Sequence, residues 1–269
     1  MHSAPRFLLV LIFLAWFSPA GVAAESDAAP VFRLMTFNIH HGEGMDGVID
    51  LDRIATLITN HQADIVALQE VDRGTERTGR IDMPAELARR TGLTAVFSNN
   101  YHFGGGEYGN ALLTRFPIRQ WTNSHFHPLA PVEQRGILQV LLTVQDRPLL
   151  VANTHFDAGR THEERIHSAA QLPEILLPHR HLPILLAGDF NATPDSAVYR
   201  AVANGFRDAW KERGDGSGWT IPVETPNRRI DYIFISKGAP VVVREIKVLS
   251  TQSSDHLPVL AMLSWNDAE

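Results

Sequence analysis

The chain has 269 residues, no cysteine and a formal net charge of −6. Without cysteine it has no disulfide, no thiolate metal site and no thiol nucleophile. Its mild acidity excludes the basic footprint of a protein that grips nucleic acid by charge alone, but leaves a metal-dependent nuclease open because a bound cation changes the local field.

In chain order, the first segment reads as a secretory leader. Arg6 carries positive charge, Phe7 to Phe17 is apolar, and Val22-Ala23-Ala24 offers small residues for cleavage. Residues 1–24 are therefore expected to be removed and the protein exported, to the periplasm or the medium. The apolar run is short for a bilayer span, and lipid attachment in the manner of a lipoprotein needs a cysteine. Residues 25–30 read as a disordered lead-in, and 31–269 as one domain long enough to bury a full core.

Short β-rich runs then alternate with amphipathic stretches. VFRLMTFN (31–38) predicts a strand. Asp50 is placed to cap a helix that turns Leu51, Ile54, Leu57 and Ile58 to one side. DIVALQE (64–70) predicts a buried strand, and MPAELARRTG a helix stopped at Gly92. GNALLTR, GILQVLLTV and PLLVANTH predict further strands. A helix follows Thr161 with Ile166, Ala169 and Ala170 on its apolar side. PILLAGDF (183–190) is again a strand, and Thr193-Pro194 fits a cap with proline at the first helical position. RIDYIFIS, PVVVREIKV and LPVLAMLSW predict three closing strands. Several strands follow one another directly, so no sheet can be wholly parallel, and a layered α/β domain is expected.

Polar residues fall at the ends of these apolar runs: Asn38, Glu70, His155, Asp189 with Asn191, Asp231, and the pair Asp255-His256. Strand ends of this kind suit one shared cleft. Each also has a plainer reading. Asn38 can form a turn. Glu70 can lie on the surface, with Gln69 facing out beside it. Asp189-Phe190-Asn191 can be a capped turn, although on a strand the two polar residues share a face. Asp231 is harder to dismiss: inside an apolar run an ionised carboxylate needs a partner, and His256 is the natural one, since a carboxylate on one ring nitrogen fixes an imidazole in tautomer and direction.

TFNIHHG, LQEVD, GNALLTRFPI, NTHFD, GDFNATPDS, RIDYIFIS and SSDHLPV stand in the order seen in the endonuclease/exonuclease/phosphatase superfamily. Over about residues 31–265 the chain resembles its small exported bacterial members. The resemblance implies a four-layer α/β/β/α sandwich, with two mixed, mostly antiparallel sheets flanked by helices. It also implies a phosphoester hydrolase that uses magnesium, with manganese as the alternative ion. By motif position Asn38, Glu70 and Asp255 resemble metal-side residues. His155, Asp189 and Asn191 resemble those around the scissile phosphate and attacking water, and Asp231 the carboxylate that orients the catalytic His256. Either His256 or Asp189 can serve as the base. Where many family nucleases carry an acid or amide, this chain has His40. His40-His41 are either loop residues near the cleft or ligands for a softer ion such as manganese or zinc. His125, His127, His179 and His181 are assigned to surface loops or helix ends.

Substrate-contact candidates are Asn110 after the glycine-rich HFGGGEYG, Arg135 before a strand, and Arg165 opening a helix, the last with a helix-face salt bridge as its plainer reading. The loop lacks the spacing and lysine of a P-loop. The expected partner is a phosphoester substrate: nucleic acid first, then a phospholipid head group, a small phosphodiester or a phosphomonoester. Trp121, Phe126 and Trp219 are grouped as a small apolar patch. A monomer is expected. A catalytically inactive phosphate-binding module on the same fold is the non-enzymatic alternative.

Overall fold

The computed structural model describes residues 1–2 and 30–266; apart from those end residues, the leader over 1–24 and the lead-in after it lie outside the described residues. Twelve strands are found among the described residues: β1 Val31–Asn38, β2 Ile65–Arg73, β3 Thr94–Phe103, β4 Gly106–Thr114, β5 Ile118–His125, β6 Gly136–Val144, β7 Arg147–His155, β8 Ile184–Asp189, β9 Phe206–Asp208, β10 Asp231–Ser236, β11 Val241–Val248 and β12 Val259–Trp265. The helices are α1 Leu51–Asn60, α2 Met83–Thr91, α3 Glu163–Ile175, α4 Ala197–Gly205 and α5 Ala209–Arg213.

The strands form two six-stranded sheets, ordered β11-β12-β1-β2-β4-β3 and β5-β6-β7-β8-β10-β9. Each sheet has a parallel pair at its centre, β1–β2 and β7–β8, and antiparallel pairing elsewhere. Alternation along each strand divides the apolar residues between two layers. In β1, Phe32 and Leu34 enter a core between the sheets with Leu138, Val151, Leu185 and Ile233. Met35 and Phe37 face the other way, onto Ile54, Ile58 and Leu87 of α1 and α2. On the second sheet Leu150, Leu186 and Phe234 pack outward against Leu172, Val198 and Val202 of α3 and α4. These three apolar layers make the α/β/β/α sandwich that the motifs imply.

The expected helix signals operate at α1 and α2. Asp50 accepts from the backbone N–H groups of Asp52 and Arg53, and Gly92 closes α2 in the left-handed conformation. At α4 the cap lies three residues later than expected: Ser196, not Thr193, accepts from Tyr199 N–H, while Thr193 bonds Asp195 within the preceding turn. α3 buries Arg165, Ser168, Ala169 and Leu172. Ile166 and Ala170 are exposed, so the helix is rotated from the side read in the sequence. The apolar patch does not form, because Phe126 is buried with Phe156 in the outer core while Trp121 and Trp219 are exposed. Of the four histidines assigned to the surface, His125, His127 and His181 are exposed and His179 is half-buried.

Candidate active site

A parallel pair brings the carboxyl ends of both strands to the same edge of its sheet. With one such pair central in each sheet, Asn38, Glu70, His155 and Asp189 all arrive at one end of the sandwich. Register places the next residue: Asp189 pairs with His155 on one side and with Asp231, the first residue of β10, on the other. Gly188 allows this row to form, because a Cβ there would lie 1.9 Å from Thr154 O and its φ is +146°.

Glu70 reaches the cleft through a bulge. The β2–β4 register shifts between Leu68 and Val71, and Glu70 has φ +56°. The bulge falls beyond Gln69, which keeps the inter-sheet face of Ile65 and Ala67 and is fully buried, while Glu70 is half-buried at the cleft. Gln69 Nε2 donates to Asn153 Oδ1 at 2.7 Å, and Asn153 Nδ2 donates to Leu68 O and Ala111 O, both at 2.8 Å. Asn153, from the second sheet, thus satisfies carbonyls on both sides of the bulge and fastens it. Asn191 is also placed by backbone and not by strand alternation. It lies beyond β8 at φ +47°, its N–H bonds Asp189 Oδ1 at 2.8 Å, and its Nδ2 donates to Phe156 O at 3.1 Å. His40 and His41, at φ +45° and +43°, follow β1 in a tight turn. Among the described residues, four of the eight non-glycine residues with positive φ therefore belong to this cleft, a clustering found at functional sites because each such residue stores strain.

One oxygen lies at the centre. Asp189 Oδ2 is 3.2 Å from Asn38 Nδ2, 3.5 Å from His155 Nε2 and 3.7 Å from His256 Nε2. Asn38 Nδ2 also donates to Glu70 Oε1 at 2.9 Å, linking the two halves, while its Oδ1 accepts from His40 N–H at 3.0 Å. His256 Nδ1 donates to Asp231 Oδ2 at 3.0 Å, the pairing read from the sequence. The loop carrying His256 is tied to β1 by Ser254 Oγ, which donates to Asn38 O at 2.7 Å. Asp255, half-buried on that loop, faces His256 closely enough to raise its pKa. Arg135 Nη1 lies 2.8 Å from His155 Nδ1. A guanidinium can only donate, so Nδ1 accepts and the ring proton of His155 sits on Nε2, which lies 3.1 Å from the Asn191 side-chain amide and 3.5 Å from Asp189 Oδ2.

Burial shifts these groups strongly. Burial, then Asp231, raises Asp189 to about 7, against the opposing pull of His256 and the bonds from Asn191 and Asn38. Burial works to lower His256, but the carboxylates of Asp231 and Asp189 outweigh it and raise the imidazole to about 10. Burial, then the charges of Arg135 and His256, push His155 well below the usual imidazole value, so it is a neutral donor. Burial and Arg77 also lower His41.

Two other sequence candidates have their polar atoms engaged with the protein. Asn110 is buried and donates to Gly136 O and, at 3.5 Å, Asn153 O. Arg165 makes no helix-face salt bridge. It is buried and holds the loop after β7 through Asp157 O, Gly159 O and His162 Nδ1. Asn153 and Ser254 escaped the sequence reading as site residues; the signal was present for Asn153, a carboxamide at the end of an apolar run, two residues before His155 and so on the same face.

Among the described residues two groups have donor atoms within 4.8 Å of one another: His40, His41 and Glu70, and Asp189, Asp231 and His256. The donors fit a divalent cation. In the first group the half-buried Glu70 carboxylate stands beside His41, whose Nδ1 is buried without a protein partner, while in the second His256, raised to about 10, keeps its own proton.

Sequence comparison agrees with this geometry. A model of the Endonuclease/Exonuclease/phosphatase family matches residues 35–256, a span that begins in β1 and ends on His256. The uncharacterized protein YbhP of Escherichia coli is 25% identical over 244 residues, covering 86% of this chain and 95% of its own length. Human 2′,5′-phosphodiesterase 12 is 25% identical over 278 residues, covering 77% of this chain and 44% of its own. The crystal structure of an endonuclease/exonuclease/phosphatase from Beutenbergia cavernae superposes with a TM-score of 0.71 at 25% identity, covering 87% of this chain and 72% of that one. With two mixed sheets, a buried Asp–His cluster at their shared end and a family match running from β1 to His256, this chain belongs to the endonuclease/exonuclease/phosphatase family.

Proposed function

We propose that the chain is an exported, divalent-metal-dependent phosphodiesterase, acting as a monomer, with nucleic acid as its first substrate class. The observation that carries this reading is the convergence of Asn38, His155 and His256 on Asp189 Oδ2, beside an imidazole held by Asp231. A phosphodiesterase among the relatives is in keeping with it.

Glu70, Asp255 and Asn38 offer the oxygen donors that magnesium or manganese prefers. When bound, the ion supplies positive charge against the anionic ester and its leaving oxygen. The protein residues handle the water and the proton. Asp189 Oδ2, where three donors meet, is the place for the attacking water, and Asp189 takes its proton. His155, with its proton fixed on Nε2 by Arg135, and the Asn191 amide hold the nonbridging oxygens as charge builds on them. Asp231 keeps Nδ1 of His256 engaged, so that Nε2 is free to give a proton to the leaving oxygen.

The test is hydrolysis of bis-p-nitrophenyl phosphate with magnesium or manganese, set beside plasmid cleavage and sphingomyelin hydrolysis. Metal-dependent turnover with plasmid nicking is the expected result. Full activity in chelator refutes metal dependence. Inertness toward every phosphoester, with the metal bound, supports the binding-module alternative. Fractionation of cells expressing the full chain and light scattering of the purified protein test export and the monomeric state.

A further inference from the structure

We infer that His40, His41 and Glu70 form a nitrogen-bearing cation position that prefers a zinc-class transition ion to magnesium. The inference rests on the reading of this cleft as a divalent-metal site and concerns which ion its outer half selects.

The three residues place donor atoms within 4.8 Å of one another, and two of the donors are imidazoles. Magnesium is bound through oxygen and keeps its waters, whereas imidazole suits zinc and its neighbours in the transition series. A carboxylate with two histidines is a donor set that gains nothing for magnesium.

The backbone has been bent to build this set. His40, His41 and Glu70 all adopt left-handed φ values, a strained conformation for a non-glycine residue. The turn is held by Asn38 Oδ1 accepting from His40 N–H, and by Gly42 N–H and Glu43 N–H bonding back to Ile39 O and His40 O. A turn with no ligand to serve would be easier to make with glycine. The result sets the two rings edge to face, 4.4 Å between centroids.

His41 adds an independent observation. Its Nε2 lies 3.4 Å from Glu43 Oε2, so the ring proton stays on Nε2, facing the carboxylate. That leaves Nδ1 with its lone pair, and Nδ1 is buried with no protein partner. A carboxylate behind one ring nitrogen and an unused lone pair on the other is the arrangement of a metal-binding histidine with its outer partner.

The experiment uses the full mature protein, stripped with chelator and titrated with Co²⁺, Zn²⁺ and Mg²⁺, with calorimetry and the visible spectrum of cobalt as readouts. Wild type should bind zinc at least about 100-fold more tightly than magnesium, and show cobalt bands of nitrogen ligation that zinc displaces. His41→Ala and His40→Ala should each weaken zinc by about 10–100-fold, with magnesium affinity unchanged. Glu43→Gln should weaken zinc less, through the tautomer. Equal zinc affinity in wild type and in the histidine variants overturns the inference, and so does a wild-type cobalt spectrum of an all-oxygen octahedral ion. The latter needs no variant and is immune to misfolding. No substrate enters these measurements. Zinc binding through the imidazoles without hydrolysis of any ester would defeat the phosphodiesterase reading and leave this one standing; magnesium-supported hydrolysis with no imidazole ligation would do the reverse.

Discussion

The cleft has two halves, built on different sheets by different means. The half on the first sheet has His40 and Glu70 half-buried at the opening and His41 buried behind them, and is shaped by left-handed backbone and a bulge. The half on the second sheet, His155, Asp189 and Asp231, is sealed, each residue at most 3% exposed, and is shaped by strand register. His256 crosses between them from the loop before β12. The difference follows from what each half has to do. Moving a proton requires pKa values displaced from their solution values, and only burial beside other charges displaces them far. Binding an ion or ester requires access, and an accessible side chain must be aimed by backbone because no surrounding core holds it.

If the sealed half performs the proton chemistry, Asp189→Asn should cut turnover by about 10³-fold, near the upper range for loss of one aligned polar group, with little change in substrate affinity. The same substitution should raise stability by about 1 kcal/mol at pH 8 in chelator, because it removes a carboxylate whose ionised form burial disfavours; an active site often trades stability in this way. Turnover and melting temperature moving down together would break the division of labour.

Asp231→Asn should cost about 10²-fold in turnover. It also changes the pH dependence of stability. His256 is raised from 6.5 to about 10, so the folded chain holds that proton to higher pH than the unfolded chain does. Its contribution is full below the unfolded value and is lost as pH rises through the folded one. Melting temperatures taken in chelator between pH 6 and pH 10 should therefore fall for wild type and fall less for the variant; equal slopes would remove the Asp231–His256 coupling.

Asn153→Leu gives the smallest effect and the sharpest division. It leaves Leu68 O and Ala111 O unpaired, at about 1–3 kcal/mol, and loosens the bulge that aims Glu70. Divalent-ion affinity should drop about tenfold, with turnover at saturating ion within a few-fold of wild type. A loss of turnover like that of Asp189→Asn would show that the halves are not separable.

Much of the framework was legible because central strands are buried on both sides and read as continuous apolar runs. β1, β2, β7, β8 and β10 were all visible in this way. β3 and β5 were not: the end of β3 is exposed, and IRQWTNSH of β5 is mostly exposed and carries no apolar signal, whereas the edge strand β11 was visible from its valine run. Among the polar residues, the Asp231–His256 pairing was readable because a carboxylate inside an apolar run demands a partner. The burial of Gln69 was misread because β2 is a central strand covered on both faces, so neither side is open to solvent; Gln69 continues the face of Ile65 and Ala67 onto the second sheet.

By itself the sequence determined the order of the central strands, the family and the row of polar residues at strand ends, because these depend on local periodicity and motif spacing. Tertiary structure alone decided that Arg135 sets the tautomer of His155, that Asn153 fastens the Glu70 bulge, and that Asp189 Oδ2 is where the donors meet. Those facts depend on contacts between residues far apart in the chain, and no local pattern encodes the distance at which two sheets bring them together.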